Sequence, residues 1–307
     1  MSRIIVRNSS RPKKARVNPL FSLLSDSPRL LVLLSFAVFF VVPLLWLLIA
    51  PTKSQDQLIE LPPLALGSFE RLVLTWNNLV SFNNYQMVSW VYNSIFYVLG
   101  GLLLNLAVSI PAGYALAMSD FAPRRLILIM TLITMIIPSA ASTLPLFLEF
   151  NALKLTNTYF GMIIAGGFFP FGVYLAFIFF STTIPKDLLN AARMDGATEF
   201  QVFTRIALPL AAPVVSLIAF FAFVANWNNY FLPFILITDD RLYNLPVGLA
   251  TLLNSTGAVN PSNINDLPIK RPEVALAGLM IAIPILLVFL FSQRFVREGM
   301  IAGAEKS

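Results

Sequence analysis

Apolar residues run through this chain in blocks too long for the core of a soluble domain. Residues 30–50 carry no charged side chain, and neither do 93–118, 126–148, 155–185, 206–238 and 274–293. About eighteen such residues suffice to mark a membrane-spanning helix. The pattern therefore predicts an all-α membrane protein with six transmembrane helices. The segments between them are polar. Residues 1–29, rich in Lys and Arg and interrupted by Pro12, Pro19 and Pro28, are expected to form a disordered basic tail. Residues 30–50 exceed a signal-peptide core, and no small-x-small cleavage pattern follows, so they are expected to remain as an anchor. Residues 51–92 read as a polar, aromatic loop, with an interfacial helix predicted in "SFERLVLTWNNLV". A tight turn, "SDFAPRR", joins the second and third spans. A loop over 239–273 precedes the last span, and 294–307 form a short tail.

Composition narrows the chemistry. Charged residues are 12% of the chain and hydrophobic ones 57%, where a soluble domain carries about 25% charged. There is no Cys and no His, which removes disulfides, thiolate or imidazole metal sites, and Cys/His nucleophiles. No Gly-Lys pair occurs, so the phosphate-cradling loop that needs that lysine is absent. The chain is not expected to be an enzyme or to hold a cofactor, and any ATP it depends on is hydrolysed elsewhere.

Charge also orients the chain. With the N-terminus inside, the inner segments hold fifteen Lys and Arg and the outer loops six. The positive-inside rule puts both termini in the cytoplasm. The basic tail is read as a topology determinant touching anionic lipid, with no nucleic acid as partner.

Between the fourth and fifth spans lies "IPKDLLNAARMDGATEFQVFTRIALP", residues 184–209. Pro185 suits the first position of a helix, and 186–194 would form about two and a half turns. Asp195 and Gly196 should break it, since glycine tolerates backbone angles that other residues resist. Thr198 and Gln201 fit a capping box that reopens a helix at Glu199, and Pro209 should bend it into the next span. Leu188, Leu189, Ala192 and Gly196 fall roughly along one side, while Ala191, Ala192 and Ala197 add little bulk. Small residues permit close approach of a partner's backbone. The same features also fit a plain connector.

The order Ala-Ala, two residues, Asp-Gly-Ala, then Phe and Leu-Pro resembles the EAA loop of bacterial ATP-binding-cassette importer permeases. "NSIFYVLGGLLLNLAVSIPAGYALA", "FVANWNNYFLPFILI", "NLPVGLATL" and "QRFVREGMIAGAEK" extend the resemblance to the carbohydrate-uptake branch. The shorter, maltose-type permease with six spans is the most similar. The resemblance implies a type-1 transmembrane domain over 93–293 with a cytoplasmic coupling loop at 185–209. It implies that Asn190, Ala191, Ala192, Asp195, Gly196 and Ala197 contact an ATPase. It further implies a second permease, two ATPase subunits, an extracytoplasmic solute-binding protein and a sugar as partners. The family usually has Glu where this chain has Asn190, so an ionic contact gives way to amide hydrogen bonds. The segment 252–272 is expanded relative to the family pattern.

The alternative is an ion-coupled secondary transporter of small polar solutes. Such carriers place ionisable groups near mid-membrane, and none of the six apolar runs contains one. For the solute path the fifth run offers Asn226, Trp227, Asn228, Asn229 and Tyr230. Amides in lipid must find partners, and aromatic faces beside amides suit a hydroxylated ring. Interhelical glue and an interfacial aromatic belt explain the same residues.

Overall fold

The computed structural model describes residues 19–83, 85–256 and 269–304, with side-chain surroundings for 29–83, 85–256 and 269–293. Among them the secondary structure is helical throughout. The basic tail over 1–18 and the core of the expanded 252–272 segment lie outside the described residues.

Helix α1 spans Pro19–Ile49. Residues 19–29 are thus helical, against the expectation of disorder, because Pro19 occupies the tolerated first position. Its apolar side chains from Leu30 to Phe40 are exposed, Phe39 by 71%. Such a surface is stable only against lipid or another apolar partner.

The second body begins at Leu48. Its α2, Phe69–Val80, is the helix predicted within the 51–92 loop, and Ser68 caps it by accepting from the N–H of Arg71. Next come α3, Gln86–Met118; α4, Arg124–Ile136; α5, Ser139–Ala152; α6, Tyr159–Gly167; and α7, Pro170–Thr183. The quoted segment supplies α8, Lys186–Met194, and α9, Glu199–Leu210. Then follow α10, Ala212–Trp227; α11, Phe231–Leu236; α12, Leu245–Asn254; and α13, Arg271–Ala304.

Four of these stretches are long and apolar enough to cross a membrane, and six if each bent pair counts once. The third and fifth apolar runs are not straight rods. Between α4 and α5 the axis turns by 112°, and between α9 and α10 by 76°. Proline is the cause. Ile137 precedes Pro138 and is extended at φ −68°, ψ 122°, the conformation a following proline favours. Phe169, before Pro170, is also held out of the helical region, at φ −143°, ψ 78°, where α6 gives way to α7. Near Ala211, Pro209 and Pro213 each lack the N–H that would continue the ladder. Before that bend a π turn over Phe203–Ala207 ends with Leu208 N–H donating to the carbonyl of Phe203.

Two further boundaries differ from expectation. The last helix runs on to Ala304 instead of ending in a tail at 294. The predicted loop at 239–273 contains α12, capped by Asn244 and with Pro246 in its first turn.

Helix α3 is the central element. Near its Met118 end, Ile110, Tyr114 and Ala117 pack with Phe180 of α7, Leu189 of α8, Val202 of α9 and Ile218 of α10. At its Gln86 end, Trp90, Asn93, Ser94 and Tyr97 share one face by helical spacing. All four bond the chain between 240 and 245. Trp90 Nε1 donates to Asp240 O at 2.8 Å, Asn93 Nδ2 to Arg241 O at 2.8 Å, and Tyr97 Oη to Leu242 O at 2.9 Å. Ser94 Oγ accepts from Leu245 N at 2.7 Å. Within this pinned turn, Arg241's guanidinium, and then its backbone N–H, hold the Asp239 carboxyl below the usual carboxylate range.

Candidate coupling surface and translocation cavity

The segment after α7 folds as helix, turn, helix. Pro185 is the cap residue rather than the first helical residue, one position earlier than expected. At the other end, Gly196 stands at φ +87°. Its N–H donates to Arg193 O, and the N–H of Ala197 donates to Ala192 O. This is a Schellman turn, whose pivot requires a left-handed residue and so favours glycine. Thr198 and Gln201 then exchange both bonds of the capping box, at 3.3 and 2.9 Å.

Arg193 braces the turn. Its Nε and Nη2 reach the two carboxylate oxygens of Glu199 at 2.6 and 3.1 Å, and its Nη1 donates to Asn190 Oδ1 at 2.8 Å. Asn190 thus has a partner inside the segment. The fork fixes α8 against α9, since a bidentate guanidinium pair constrains direction as well as distance.

Leu189 and Val202 are fully buried in the core around α3, and Ala192 and Ala197 pack half-buried against the same cluster. The side proposed from sequence is therefore split. Leu189 and Ala192 face the protein's own core, while Leu188, Ala191, Asp195 and Gly196 remain exposed. The structure adds two residues that sequence reasoning missed. Met194 is 88% exposed and Phe200 is 75% exposed, on either side of the turn. Large apolar side chains at a charged turn were a visible signal, hidden by attention to the small residues.

The second site is a cavity of about 490 Å³. Three breaks in helices converge on it: Ile137 and Ser139 flank the first, Phe168 and Phe169 form the second, and Asn228 to Tyr230 form the third. Broken helices place unpaired backbone where a cavity can use it, which membrane interiors tolerate only against protein or water. A more apolar hollow of about 370 Å³ shares Thr134 and Phe168–Pro170 with it and reaches Val108 and Met130.

Sequence-named residues divide around this cavity. Asn226, Asn228, Asn229 and Tyr230 line it. Trp227 does not. It is buried to 4% exposure, stacks on Phe223 and donates Nε1–H to Ile281 O at 3.0 Å, tying α10 to α13. Asn226 donates to Gly166 O at 3.1 Å, and Asn228 to Val224 O of its own helix at 3.1 Å. Tyr230 stacks on Phe234. Hydroxyls from Ser139, Ser142 and Thr143 supply the opposite wall and were missed from sequence. The Pro138 break, followed by "SAAST" in an otherwise apolar run, was their signal.

This constellation has counterparts. Residues 109–301 match the family model described as binding-protein-dependent transport system inner membrane component. The chain belongs to that family. It is a multi-pass inner-membrane permease component, and family membership sets aside the ion-coupled carrier. The arabinooligosaccharides transport system permease protein AraQ of Halalkalibacterium halodurans is 31% identical, over 95% of this chain and 99% of that one. The maltodextrin transport system permease protein MalD of Streptococcus pneumoniae is 26% identical, over 92% and 96%. A solved bacterial ABC transporter involved in alginate import has the same fold, with TM-score 0.74 and 21% identity, covering 93% of this chain and all of its own.

Proposed function

We propose that this chain is a permease subunit of an ATP-driven, binding-protein-dependent sugar importer. It crosses the membrane six times with both termini in the cytoplasm, each bent helix pair counting as one span. A second, related permease completes the pathway. Two separate ATPase subunits hydrolyse ATP, and an external solute-binding protein delivers the sugar. The relatives named for arabinooligosaccharides and maltodextrin support a sugar as cargo. The solved neighbour handles an acidic polysaccharide, so the fold alone leaves the charge of the cargo open.

One observation carries the reading: three helix breaks meet at a cavity walled by amides, hydroxyls and aromatic rings. Transporters bind solute where discontinuous helices meet, because the broken ends and unwound carbonyls supply polar groups there. The braced turn at 190–200 couples that cavity to the ATPase. Leu189 and Val202 sit in the same core cluster as Phe180 and Ile218, so a push on Met194 or Phe200 is transmitted to α7 and α10 as a displacement of packed helices. Ala191, Asp195 and Gly196 form the exposed crest of the contact. Asn190, also exposed, steadies Arg193, while Ala192 and Ala197 hold the shape from the core side. In the cavity, Asn228, Asn229 and Tyr230 meet the sugar, while Asn226 and Trp227 hold the helices that carry them.

The test is reconstitution in liposomes with the permease, ATPase and binding protein encoded beside it. Uptake of a sugar that depends on internal ATP and on the binding protein is expected. Uptake driven by an ion gradient without ATP would overturn the reading.

A further inference from the structure

We infer that the cavity admits an uncharged carbohydrate and discriminates against uronates and sugar phosphates. The inference rests on the cavity being the sugar path proposed above, and it names the class of sugar.

No Lys, Arg, Asp or Glu is found among the described residues lining the cavity, and the chain has no His. Its polar groups are hydroxyls and amides. The hydroxyls of Ser139 and Ser142 and the side-chain amide of Asn229 make no hydrogen bond among the described residues. Asn228 gives one N–H to Val224 O and keeps its carbonyl oxygen free. Each of these groups can both donate and accept, or offers one half of that pair. A sugar hydroxyl also does both, so it finds a match whichever way its O–H turns.

An anion differs. A carboxylate or phosphate only accepts, and it leaves water at a large cost unless a cation or several N–H donors replace its hydration. This wall has no cation to offer. Helix N-termini can hold anions, and α5, α7 and α11 all begin at the cavity, but a proline at or near each start, Pro138, Pro170 and Pro233, removes a donor. Further donors are already used: Gly172 N donates to Phe169 O, Ala141 N and Ser142 N both donate to Pro138 O, and Asn229 N donates to Asn226 O. The remaining wall is aromatic, from Phe168, Phe169, Tyr230 and Phe231. Flat apolar rings suit the C–H faces of a neutral pyranose or furanose.

The test uses the full complex of both permeases and the ATPases, solubilised without the binding protein so that its selectivity does not intervene. Binding of neutral trisaccharides of glucose, arabinose and galactose is compared with binding of trigalacturonate. At least one neutral probe is expected to bind about tenfold or more tightly than the uronate. Asn229→Ala should weaken that neutral binding, and Ser142→Arg should bring the uronate in. If trigalacturonate binds as tightly as every neutral probe and Asn229→Ala weakens it, the cavity is the path but the charge inference is wrong. If no neutral probe binds, or if neither substitution changes any binding, this wall is not the sugar path and both readings fall.

Discussion

The side-chain amide of Asn226 donates to the carbonyl of Gly166, four residues before Pro170. In an unbroken helix that carbonyl would accept from residue 170, but proline has no N–H. Asn226 therefore repairs, from a neighbouring helix, the bond that proline removes. The same arrangement recurs at the third break. Pro233 leaves the Asn229 carbonyl free, and Asn244 Nδ2 fills it at 2.7 Å. The fit is close at the first position: a Cβ on Gly166 would lie 2.9 Å from Asn226 Oδ1, and one on Gly101 would lie 3.1 Å from Gly166.

Asn226→Ala should leave the Gly166 carbonyl unsatisfied inside the bundle. A cost of about 1–3 kcal/mol is expected, read as a lower melting temperature of the purified complex. Asn228→Ala bonds only within its own helix, so it should impair uptake while leaving the melting temperature within a degree or so of wild type. Equal destabilisation by both would assign Asn228 to packing.

Met194→Ser and Phe200→Ser should leave folding and pairing with the second permease intact, because both side chains are exposed. They should release the ATPase in pull-down and abolish ATP-dependent uptake. Leu189→Ala is the control: it empties a fully buried position and should destabilise the chain by about 2–5 kcal/mol. Ala192→Trp belongs with that control, since Ala192 packs on the core. Normal ATPase retention by both serine variants would reduce the turn to a connector.

Gly196→Ala meets no atom within 4 Å of the added Cβ, so only the left-handed backbone penalises it, by about 1–2 kcal/mol. Gly196→Asn should be milder, as asparagine visits that region more readily. Thermal melts of the complex that rank the two in the opposite order would refute the backbone account.

Gly248→Ala should be more damaging than its size suggests. A Cβ there would run into the Trp90 indole, which is held in place by its bond to Asp240 O. Overpacking of about 1–3 kcal/mol is expected, and Trp90→Phe in the same chain should recover part of it. Lack of recovery in the melting temperature would mean that the clash is absorbed elsewhere.

The native chain has no cysteine, so topology can be read from single additions. Asp56→Cys and Leu153→Cys should react with an impermeant thiol reagent from outside intact cells. Ser119→Cys and Met194→Cys should react only after the membrane is opened. Labelling of Met194→Cys from outside would reverse the proposed orientation.

Local chemistry was sufficient for much of this molecule. Uncharged runs marked the apolar segments because lipid tolerates few charges at any position along a span. Gly196, Thr198 and Gln201 announced their turn because each acts on backbone within three residues. Ser68 did the same for α2. The depth of the bends at 137 and 211 was not legible. A proline reports that a ladder bond is lost, but the new direction depends on which neighbouring helix packs against the break. Nor could the sequence separate Trp227 from Asn228, adjacent residues of equal promise. One turns toward α13 and is buried, while the other turns toward the cavity. That division follows from the packing of α10 between two neighbours, a relation among residues more than fifty positions apart. Ala192 went inward and Met194 outward for the same reason: the core cluster around Tyr114 and Phe180 already existed to receive one face of α8, and only the assembled helices decide which face that is.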